Sequence, residues 1–300
     1  MTAQFIAESA DGAFVRQPNR FTDRITRDST RWPVEPGRYR LIWSRACPWA
    51  HRAVIVRGLL GLQNAISVGT LDPVRDERGW RFAEPDPVLG ITYLAEAYRA
   101  TDPGYTGRVT VPALVDTRSG RVVTNDFPQI TLDLSTEWVD FHRPDAPDLY
   151  PVDLRPDLDA LMRDIYTDVN NGVYRAGFAT SQAAYEAAYD ALFARLDALE
   201  ERLSDDRRYL MGDRLTEADV RLFTTLVRFD AVYHGHFKCN RNKLTELPYL
   251  WRYARRMFQT PGFGETVDFD QIKRHYYYTH DRINPTRIIP KGPDARAWWH

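Results

Sequence analysis

The sequence predicts a mixed α/β domain followed by an all-helical domain, on three observations. The length of 300 residues corresponds to two domains of roughly 150 residues each. The first half alternates strand-like and helix-like segments in the order β-α-β-insert-β-β-α, whereas the second half shows only helical periodicity. A Pro-rich stretch at 142–156 separates the halves. We expect an N-terminal extension at 1–35, the α/β domain at 36–141 with an insert at 72–107, the helical domain at 157–266 and an aromatic C-terminal extension at 267–300.

Each element of the first domain has a local signal. Tyr39, Leu41 and Trp43 alternate as in a strand. Pro48 suits the first turn of a helix and Gly61 its end. The predicted elements are a strand at 38–44, a helix from Pro48 to about Leu60, a strand at 65–71, a hairpin of strands at 109–116 and 121–126, and a helix at 128–138. The stretch 72–107 is rich in Pro and Gly and longer than a structural loop requires.

The second domain is predicted from apolar residues that recur every three or four positions. One such face consists of Leu158, Leu161, Ile165, Val169 and Val173, and a second of Ala188, Leu192, Leu196, Leu199 and Leu203. A third helix begins after Thr216 as N-cap, with Asp219 in the position that completes a capping box. Its predicted core face is Leu222, Leu226, Phe229 and Tyr233.

Composition and charge argue against several function classes. The net charge of -1 gives no reason to expect nucleic acid or an anionic membrane as a partner. No stretch approaches the roughly 18 uninterrupted apolar residues of a membrane span, and the N-terminus does not read as a secretory signal. The only two cysteines, Cys47 and Cys239, are far apart in the sequence, which fits a reducing compartment. We expect a cytoplasmic protein.

Cys47 is the candidate nucleophile. It lies between the first predicted strand and the first predicted helix, in the segment ACPWAHR. The unpaired N–H groups and the dipole of a helix N-terminus stabilise a thiolate there. Position 50 is Ala, so no neighbouring thiol resolves a mixed disulfide formed at Cys47. An external thiol is therefore expected in the cycle, while a redox role for the distant Cys239 stays open.

Two further features bear on this chemistry. Pro112, in the segment TVPAL at 110–114, lies near the start of the third predicted strand. In thioredoxin-like folds a proline at that place is usually cis, and the residue before it offers backbone N–H and C=O groups to a bound thiol, although a proline at the first residue of a strand is also simply tolerated. His234 and His236 are two residues apart, which places them on different helix faces, and no carboxylate completes a zinc set. We expect no metal.

Five segments, in this order, carry a family resemblance: ACPWAHR, GRVTVP, NNGVYRAGFAT, RFDAVYHGHFKCN and IKRHYYYTHDRINPT. Together they resemble the Xi-class glutathione transferases, the glutathionyl-hydroquinone reductases, from about Arg31 to Pro290. The resemblance implies a thioredoxin-like domain plus a helical domain, which is the glutathione-transferase architecture. It also implies a homodimer and the thiol-dependent reduction of aromatic quinone or hydroquinone thioethers.

The resemblance implies roles for individual residues. Cys47 attacks the thioether sulfur, and Tyr174 matches the family's general acid/base. Tyr233 and Tyr276 match two tyrosines that help to hold the nucleophile as thiolate, although spacing does not decide which of Tyr276, Tyr277 and Tyr278 faces the site. The thiol co-substrate is expected at Trp80, Arg108, Val109, Thr110, Val111, Asp126 and Phe127.

Asp126 and Phe127 depart from the family, which has Glu-Ser at these positions to bind the γ-glutamyl head group of glutathione. Asp is shorter by one methylene, and Phe lacks the hydroxyl. Our preferred co-substrate is therefore a thiol other than glutathione. Nearly all basic residues are Arg, which suits a high-GC bacterium, and some such lineages use mycothiol, whose head group lacks a γ-glutamyl end. The alternative is drift at these two positions, with glutathione bound through backbone N–H groups.

Two other functions stay open from the sequence. One is a broader cysteine-type glutathione transferase with thiol-exchange or dehydroascorbate reductase activity. Tyr174 discriminates between this function and the reductase, because simple disulfide exchange needs no acid aimed at an aromatic leaving group. The other is a non-catalytic protein that binds thiol conjugates, which would have no need of a reactive thiolate at Cys47.

Overall fold

The computed structural model describes residues 9–299. Its strands are β1 (Ser9–Ala10), β2 (Ala13–Phe14), β3 (Tyr39–Trp43), β4 (Ile66–Thr70), β5 (Ala113–Asp116) and β6 (Arg121–Thr124). Its α-helices are α1 (Pro48–Leu59), α2 (Leu94–Thr101), α3 (Phe127–Thr136), α4 (Arg155–Asp164), α5 (Gly172–Gly177), α6 (Gln182–Arg202), α7 (Glu217–Leu226), α8 (Pro248–Gln259) and α9 (Phe269–Thr279). Residues 1–8 of the predicted extension lie outside this range, and residues 9–14 of it form the ribbon β1–β2 rather than irregular chain.

The chain forms two compact units, one α/β and one helical, as the sequence predicts. The first unit includes Gln17–Pro147. The second consists of the chain from Asp148 onwards together with the segment that ends at Arg16. Among residues 9–299, no helix is both long enough and apolar enough to cross a membrane.

The first unit is built on a four-stranded sheet in the order β4-β3-β5-β6. β3 pairs in parallel with β4 and antiparallel with β5, and the hairpin β5–β6 closes the sheet. All five residues of the inner strand β3 are buried. Arg40 is buried there because its guanidinium Nε and Nη2 donate to Asp86 Oδ2 at 2.9 and 2.7 Å.

The insert at 72–107 contains a helix that the sequence analysis missed. Helix α2 begins after Tyr93, where the Glu96 carboxylate accepts the Tyr93 backbone N–H at 2.8 Å. The Pro and Gly residues on either side masked this eight-residue helix. The order of the first unit is therefore β-α-β-α-β-β-α. Asp86 belongs to the insert and links it to the sheet. Its Oδ2 accepts from Arg40 of β3, and its Oδ1 accepts the backbone N–H groups of Val88 and Leu89 within the insert.

The third strand of this sheet is shorter than predicted. It begins at Ala113 rather than at residue 109, so residues 108–112 are not part of a strand. The backbone of Thr110 instead bonds to a side chain: Tyr98 Oη donates to the Thr110 carbonyl at 2.8 Å, and the Thr110 N–H donates to Tyr98 Oη at 3.2 Å. A side chain of α2 thus replaces the strand partner that the pattern predicted.

The helical unit differs from the sequence prediction in how its helices end. Leu158, Ile165, Val169 and Val173 lie in the core as predicted, and Leu161 is half-buried. They do not belong to one continuous helix, because the π-helical stretch Ile165–Asn170 separates α4 from α5. A second π-helical stretch, Phe229–Tyr233, follows α7. The apolar residues Ile165, Val169 and Val173 are four positions apart, a spacing that an α-helix shows as well, so the pattern did not reveal the π-helical turn.

Helix α7 begins with the predicted capping box. The Asp219 carboxylate accepts the backbone N–H of Thr216 at 2.8 Å and its hydroxyl at 3.0 Å. The other carboxylate oxygen accepts the Leu210 N–H at 2.8 Å and the Tyr253 hydroxyl at 2.9 Å. Asp219 therefore also links α7 to α8 and to the chain before α7.

Candidate active site

The first unit places the Cys47 thiol at the N-terminus of α1. Cys47 is the N-cap residue, its carbonyl accepts the His51 N–H at 3.0 Å, and Pro48 occupies the first turn. The side chain is 9% exposed, and Sγ lies 3.6 Å from the carbonyl oxygen of Val111. A thiolate at this position is stabilised by the first-turn N–H groups and the helix dipole. This position favours the thiolate form, which is the nucleophilic form of a cysteine.

The segment 108–111 passes beside this sulfur. The Val111–Pro112 peptide bond is cis. Arg108 is fixed from the N-terminal part of the unit and from the insert: its backbone N–H donates to Gln17 Oε1 at 2.9 Å, and its carbonyl accepts Tyr105 Oη at 2.7 Å. Val109 is half-buried. The predicted thiol-binding segment is therefore held by two side chains, those of Gln17 and Tyr105, that no sequence motif indicated.

Trp80, the predicted tryptophan of the thiol site, is only 5% exposed. Its backbone carbonyl accepts the Leu94 N–H at the start of α2 at 3.0 Å. The Arg75 guanidinium carbon lies 5.2 Å from the centroid of the indole. Arg75, also in the insert, is thus one partner of the indole.

Phe127 is the first residue of α3, and its ring packs against α1. The ring centroid lies 4.6 Å from that of Trp49, and the Arg52 guanidinium carbon lies 5.8 Å from it. The residue is 8% exposed. Phe127 is therefore part of the contact between α1 and α3, which a serine side chain would leave unfilled.

Asp126 is the N-cap of α3, but its carboxylate does not cap the helix. Oδ1 instead accepts Nδ2 of Asn19 at 3.0 Å. The Asp126 carbonyl accepts the N–H groups of Gln129 and Ile130 at 3.0 and 2.9 Å, and the Asp126 N–H donates to Thr124 Oγ1 at 3.0 Å. Pro128 has no N–H to offer. Three N–H groups at this helix N-terminus, those of Asp126, Gln129 and Ile130, are thus bonded within the chain.

In the helical unit, the structure brings Tyr174, Tyr233 and Tyr276 together. The hydroxyl oxygens of Tyr174 and Tyr276 are 2.5 Å apart, and those of Tyr276 and Tyr233 are 3.0 Å apart. We call these three residues the tyrosine cluster. Tyr233 and Tyr276 are fully buried, whereas Tyr174 is 8% exposed. Burial raises the pKa of Tyr233 and of Tyr276 well above the usual value. Tyr174 is therefore the member of the cluster that reaches the surface of its unit.

Close packing holds the cluster in place. Tyr174 lies in α5 and Tyr233 at the end of the second π-helical stretch, and the Phe237 ring packs against both at centroid distances of 5.5 and 5.6 Å. A Cβ atom on Gly177 would lie 2.2 Å from Phe237, so only glycine permits this approach. The sequence NNGVYRAG contains that glycine, but its partner Phe237 is not visible from spacing.

The three consecutive tyrosines Tyr276, Tyr277 and Tyr278 differ in burial and in the partners of their hydroxyl groups. Tyr277 is half-buried and donates its hydroxyl to the Ala231 carbonyl at 3.4 Å. Tyr278 is 40% exposed. Tyr276 is the one whose hydroxyl enters the tyrosine cluster.

Two buried histidines flank this cluster. Nε2 of His236 lies 3.1 Å from Nδ1 of His280, and the His280 ring centroid is 5.3 Å from that of Tyr276. Burial, with the charge of Lys238, lowers the pKa of His236 to about 4. Within residues 9–299, no group of three or more His, Cys, Asp or Glu side chains is arranged to hold a metal ion.

Cys239 is fully buried in the helical unit. Burial raises the pKa of its thiol, and Sγ lies 3.9 Å from the Phe237 carbonyl oxygen. A thiol that resists ionisation is a poor nucleophile. This environment gives Cys239 the character of a core residue rather than of a resolving thiol.

Two family descriptions match the chain. The glutathione S-transferase N-terminal domain matches residues 46–137, and the glutathione S-transferase C-terminal domain matches residues 182–256. Among curated proteins, the glutathionyl-hydroquinone reductase PcpF of Sphingobium chlorophenolicum is 43% identical over 296 residues, which cover 97% of this chain and 93% of that protein.

Solved structures show the same relationship. A glutathione transferase from Gordonia bronchialis has a TM-score of 0.91 at 61% identity, with 93% of this chain and 88% of that chain covered. The Xi glutathione transferase ECM4 of Saccharomyces cerevisiae, solved in complex with glutathione, has a TM-score of 0.90 at 33% identity, with 93% and 98% covered. The likeness therefore extends over both units.

Proposed function

The chain belongs to the glutathionyl-hydroquinone reductases, the Xi class of the glutathione transferases, and from this premise we propose that it reduces S-conjugated hydroquinones at the expense of a low-molecular-weight thiol. The observation that carries the proposal is the Cys47 sulfur at the N-terminus of α1, with alanine where a second thiol would stand. A single activated thiol of this kind needs an external thiol to complete a cycle.

The reaction proceeds in two steps. The Cys47 thiolate attacks the sulfur of the aryl thioether, a disulfide forms between Cys47 and the thiol moiety, and the aryl carbon–sulfur bond breaks. The electron pair of that bond stays on the ring carbon, which takes up a proton to give the free hydroquinone. A second thiol, as thiolate, then attacks the mixed disulfide, releases Cys47 and leaves as a symmetrical disulfide. The ring is reduced by two electrons, and the sulfur of the conjugate and one free thiol end as a disulfide.

Tyr174 is the proposed donor of the proton. Its hydroxyl is within hydrogen-bonding distance of Tyr276, which in turn contacts Tyr233. When Tyr174 gives up its proton, Tyr276 can donate to the resulting phenolate and Tyr233 can donate to Tyr276. The family resemblance assigns Tyr233 and Tyr276 to the Cys47 thiolate, and we keep that role as a proposal beside this one.

For the co-substrate, we propose mycothiol in preference to glutathione. A glutathione carboxylate would bind to hydrogen-bond donors at the N-terminus of α3. There, the N–H groups of Asp126, Gln129 and Ile130 are bonded within the chain, and Pro128 has none. Phe127 offers no hydroxyl, and Asn19 already occupies one oxygen of Asp126. A γ-glutamyl head group would lose about 1–3 kcal/mol for each charged hydrogen bond that it cannot form here.

The thiol preference is tested by comparing conjugates of one hydroquinone with the two thiols. We expect kcat/KM with mycothiol and the mycothiolyl conjugate to exceed that with glutathione and the glutathionyl conjugate by about tenfold or more. The double variant Asp126→Glu/Phe127→Ser should raise kcat/KM for glutathione, because it restores a longer carboxylate and a hydroxyl. Steady-state release of the hydroquinone is the measurement.

The matched control is Asp126→Glu/Phe127→Ala, which removes the same ring without adding a hydroxyl. It should not gain glutathione activity, although both double variants should lose stability because the α1–α3 contact is left unfilled. Efficient turnover of the wild-type protein with glutathione would refute the mycothiol preference. Failure with both thiols would refute the proposed function itself.

We also propose a reducing, cytoplasmic location and a homodimer. The first is supported by the chemistry, since Cys47 must return to the free thiol after each cycle. The second is supported by the family resemblance alone. The small-molecule partners are aromatic thioethers, and the net charge of -1 supports neither nucleic acid nor membrane as a partner.

A further inference from the structure

The N-terminal ribbon β1–β2 is fixed on the helical unit. The Gly12 carbonyl accepts the Thr180 N–H at 2.9 Å. Gly12 has a φ of +84°, and a Cβ atom there would lie 2.3 Å from Ser181 Oγ, so the turn requires glycine for both reasons. After the turn, the Phe14 ring packs against that of Phe178 at 5.3 Å. The residues that follow the ribbon, Arg16 among them, therefore lie next to α5, the helix that contains Tyr174.

Arg16, two residues beyond β2, contacts this helix twice. Its Nε donates to Asn171 Oδ1 at 2.9 Å. Its guanidinium carbon lies 5.0 Å from the centroid of the Tyr174 ring. Asn171 is the N-cap residue of α5, and its carbonyl accepts the Tyr174 N–H at 3.1 Å. Arg16 thus fixes the first turn of α5 and places a positive charge over the phenol ring.

A cation over a phenol ring acts differently on the two protonation states. It is attracted to the ring quadrupole of the neutral phenol. When the hydroxyl loses its proton, negative charge spreads into the ring and the attraction increases. The phenolate is therefore the more strongly stabilised state.

Hydroxyl groups, aromatic rings and a second arginine also lie near Tyr174. From α9, Tyr276 brings a hydroxyl to 2.5 Å, and the Tyr233 ring lies 6.0 Å away. His280 lies beyond Tyr276. The buried Arg228 acts on the far members of the cluster, where burial raises and its charge lowers the pKa of Tyr233 and Tyr276. Among these neighbours, Arg16 is the cation that stacks on Tyr174 itself.

We propose that Arg16 is a positioning residue for proton donation by Tyr174, which it holds through Asn171 and whose phenolate it stabilises. The inference rests on the proposed function, in which Tyr174 gives its proton to the ring carbon as the carbon–sulfur bond breaks. At that moment the charge that develops on Tyr174 faces the guanidinium, with Tyr276 donating on the other side. The proton is later regained from solvent.

The test uses Arg16→Met, which removes the charge at similar length, and Arg16→Lys, which keeps it. Tyr174 must be protonated to act, so turnover of the aryl thioether falls as the pH rises through its titration. Without the cation, Tyr174 is a weaker acid. Arg16→Met should lower kcat about tenfold and move this alkaline limb up by about one pH unit, with KM little changed. Arg16→Lys should keep the wild-type limb, with a smaller loss in kcat.

Two controls separate this role from a structural one. Exchange with a simple disulfide, which needs no acid, should stay at the wild-type rate in Arg16→Met. Arg163→Met removes an exposed arginine of the same unit and should leave the limb in place. The inference is overturned if both activities of Arg16→Met fall in parallel with an unmoved limb, if Arg16→Lys moves the limb as Arg16→Met does, or if Arg163→Met moves it equally.

A measurement without substrate distinguishes this inference from the function on which it rests. The phenolate absorbance of the wild-type protein is titrated against that of Tyr174→Phe, and the difference isolates the Tyr174 transition. Arg16→Met should shift that transition to higher pH, whether or not a given thioether is turned over. An unshifted transition overturns the inference even if the wild-type protein reduces hydroquinone conjugates, and a shifted transition supports it even if the tested conjugate is a poor substrate.

Discussion

Replacing Cys47 with serine should abolish the reduction of hydroquinone thioethers and the exchange of simple disulfides together. Both reactions begin with attack by the Cys47 sulfur, and a serine hydroxyl is neither ionised near neutral pH nor able to form a mixed disulfide. We expect a loss of about 10⁴-fold or more in kcat/KM, as for other removed nucleophiles. Steady-state release of hydroquinone and the rate of disulfide exchange are the measurements.

The matched control for this loss is Cys239→Ala. Cys239 is buried and burial raises its pKa, so this variant should keep both activities. If Cys239→Ala lost turnover while keeping its fold, a second thiol would take part in the cycle. If Cys47→Ser retained turnover, Cys47 would not be the nucleophile.

Replacing Tyr174 with phenylalanine should divide the two activities. Reduction of the thioether should fall by about 10²–10⁴-fold, the usual contribution of a positioned general acid. Exchange of a simple disulfide should continue, because its leaving thiolate needs no proton on carbon. The ratio of the two rates, measured on one preparation, reports the loss independently of the amount of folded protein.

Tyr278→Phe is the control for removal of a hydroxyl, because Tyr278 is 40% exposed and lies outside the tyrosine cluster. It should retain both activities. Full thioether turnover in Tyr174→Phe would remove Tyr174 from the mechanism and favour a general thiol transferase. Equal loss of both activities would indicate that Tyr174 acts on the thiolate or on the fold instead.

The parts of the site that were predictable from the sequence are those fixed by neighbours along the chain. Cys47 lies at a helix start because Pro48 follows it and an apolar strand precedes it. Thr216 and Asp219 form the predicted capping box because its two bonds join residues three apart. Signals of this kind depend on local backbone geometry, which a short pattern specifies.

The remaining parts depend on contacts between distant residues. Gln17 holds Arg108, and Asn19 binds Asp126, yet both belong to an N-terminal stretch that reads as irregular. The segment 108–112 leaves the sheet because Tyr98 bonds its backbone, and Tyr98 lies in a helix that the surrounding Pro and Gly concealed. Arg16 reaches Tyr174 in the same way. Periodicity carries no information on such pairs.

In the proposed cycle, Cys47 works alone and passes through a mixed disulfide with the thiol moiety of its substrate. The most direct test is to mix the wild-type protein with an excess of hydroquinone conjugate in the absence of free thiol, and to measure hydroquinone release and intact protein mass together. We expect one hydroquinone per chain and a mass increase of one thiol moiety on the peptide that contains Cys47, with turnover resuming when free thiol is added. Release beyond one equivalent without thiol, or release with no adduct at Cys47, would contradict this cycle.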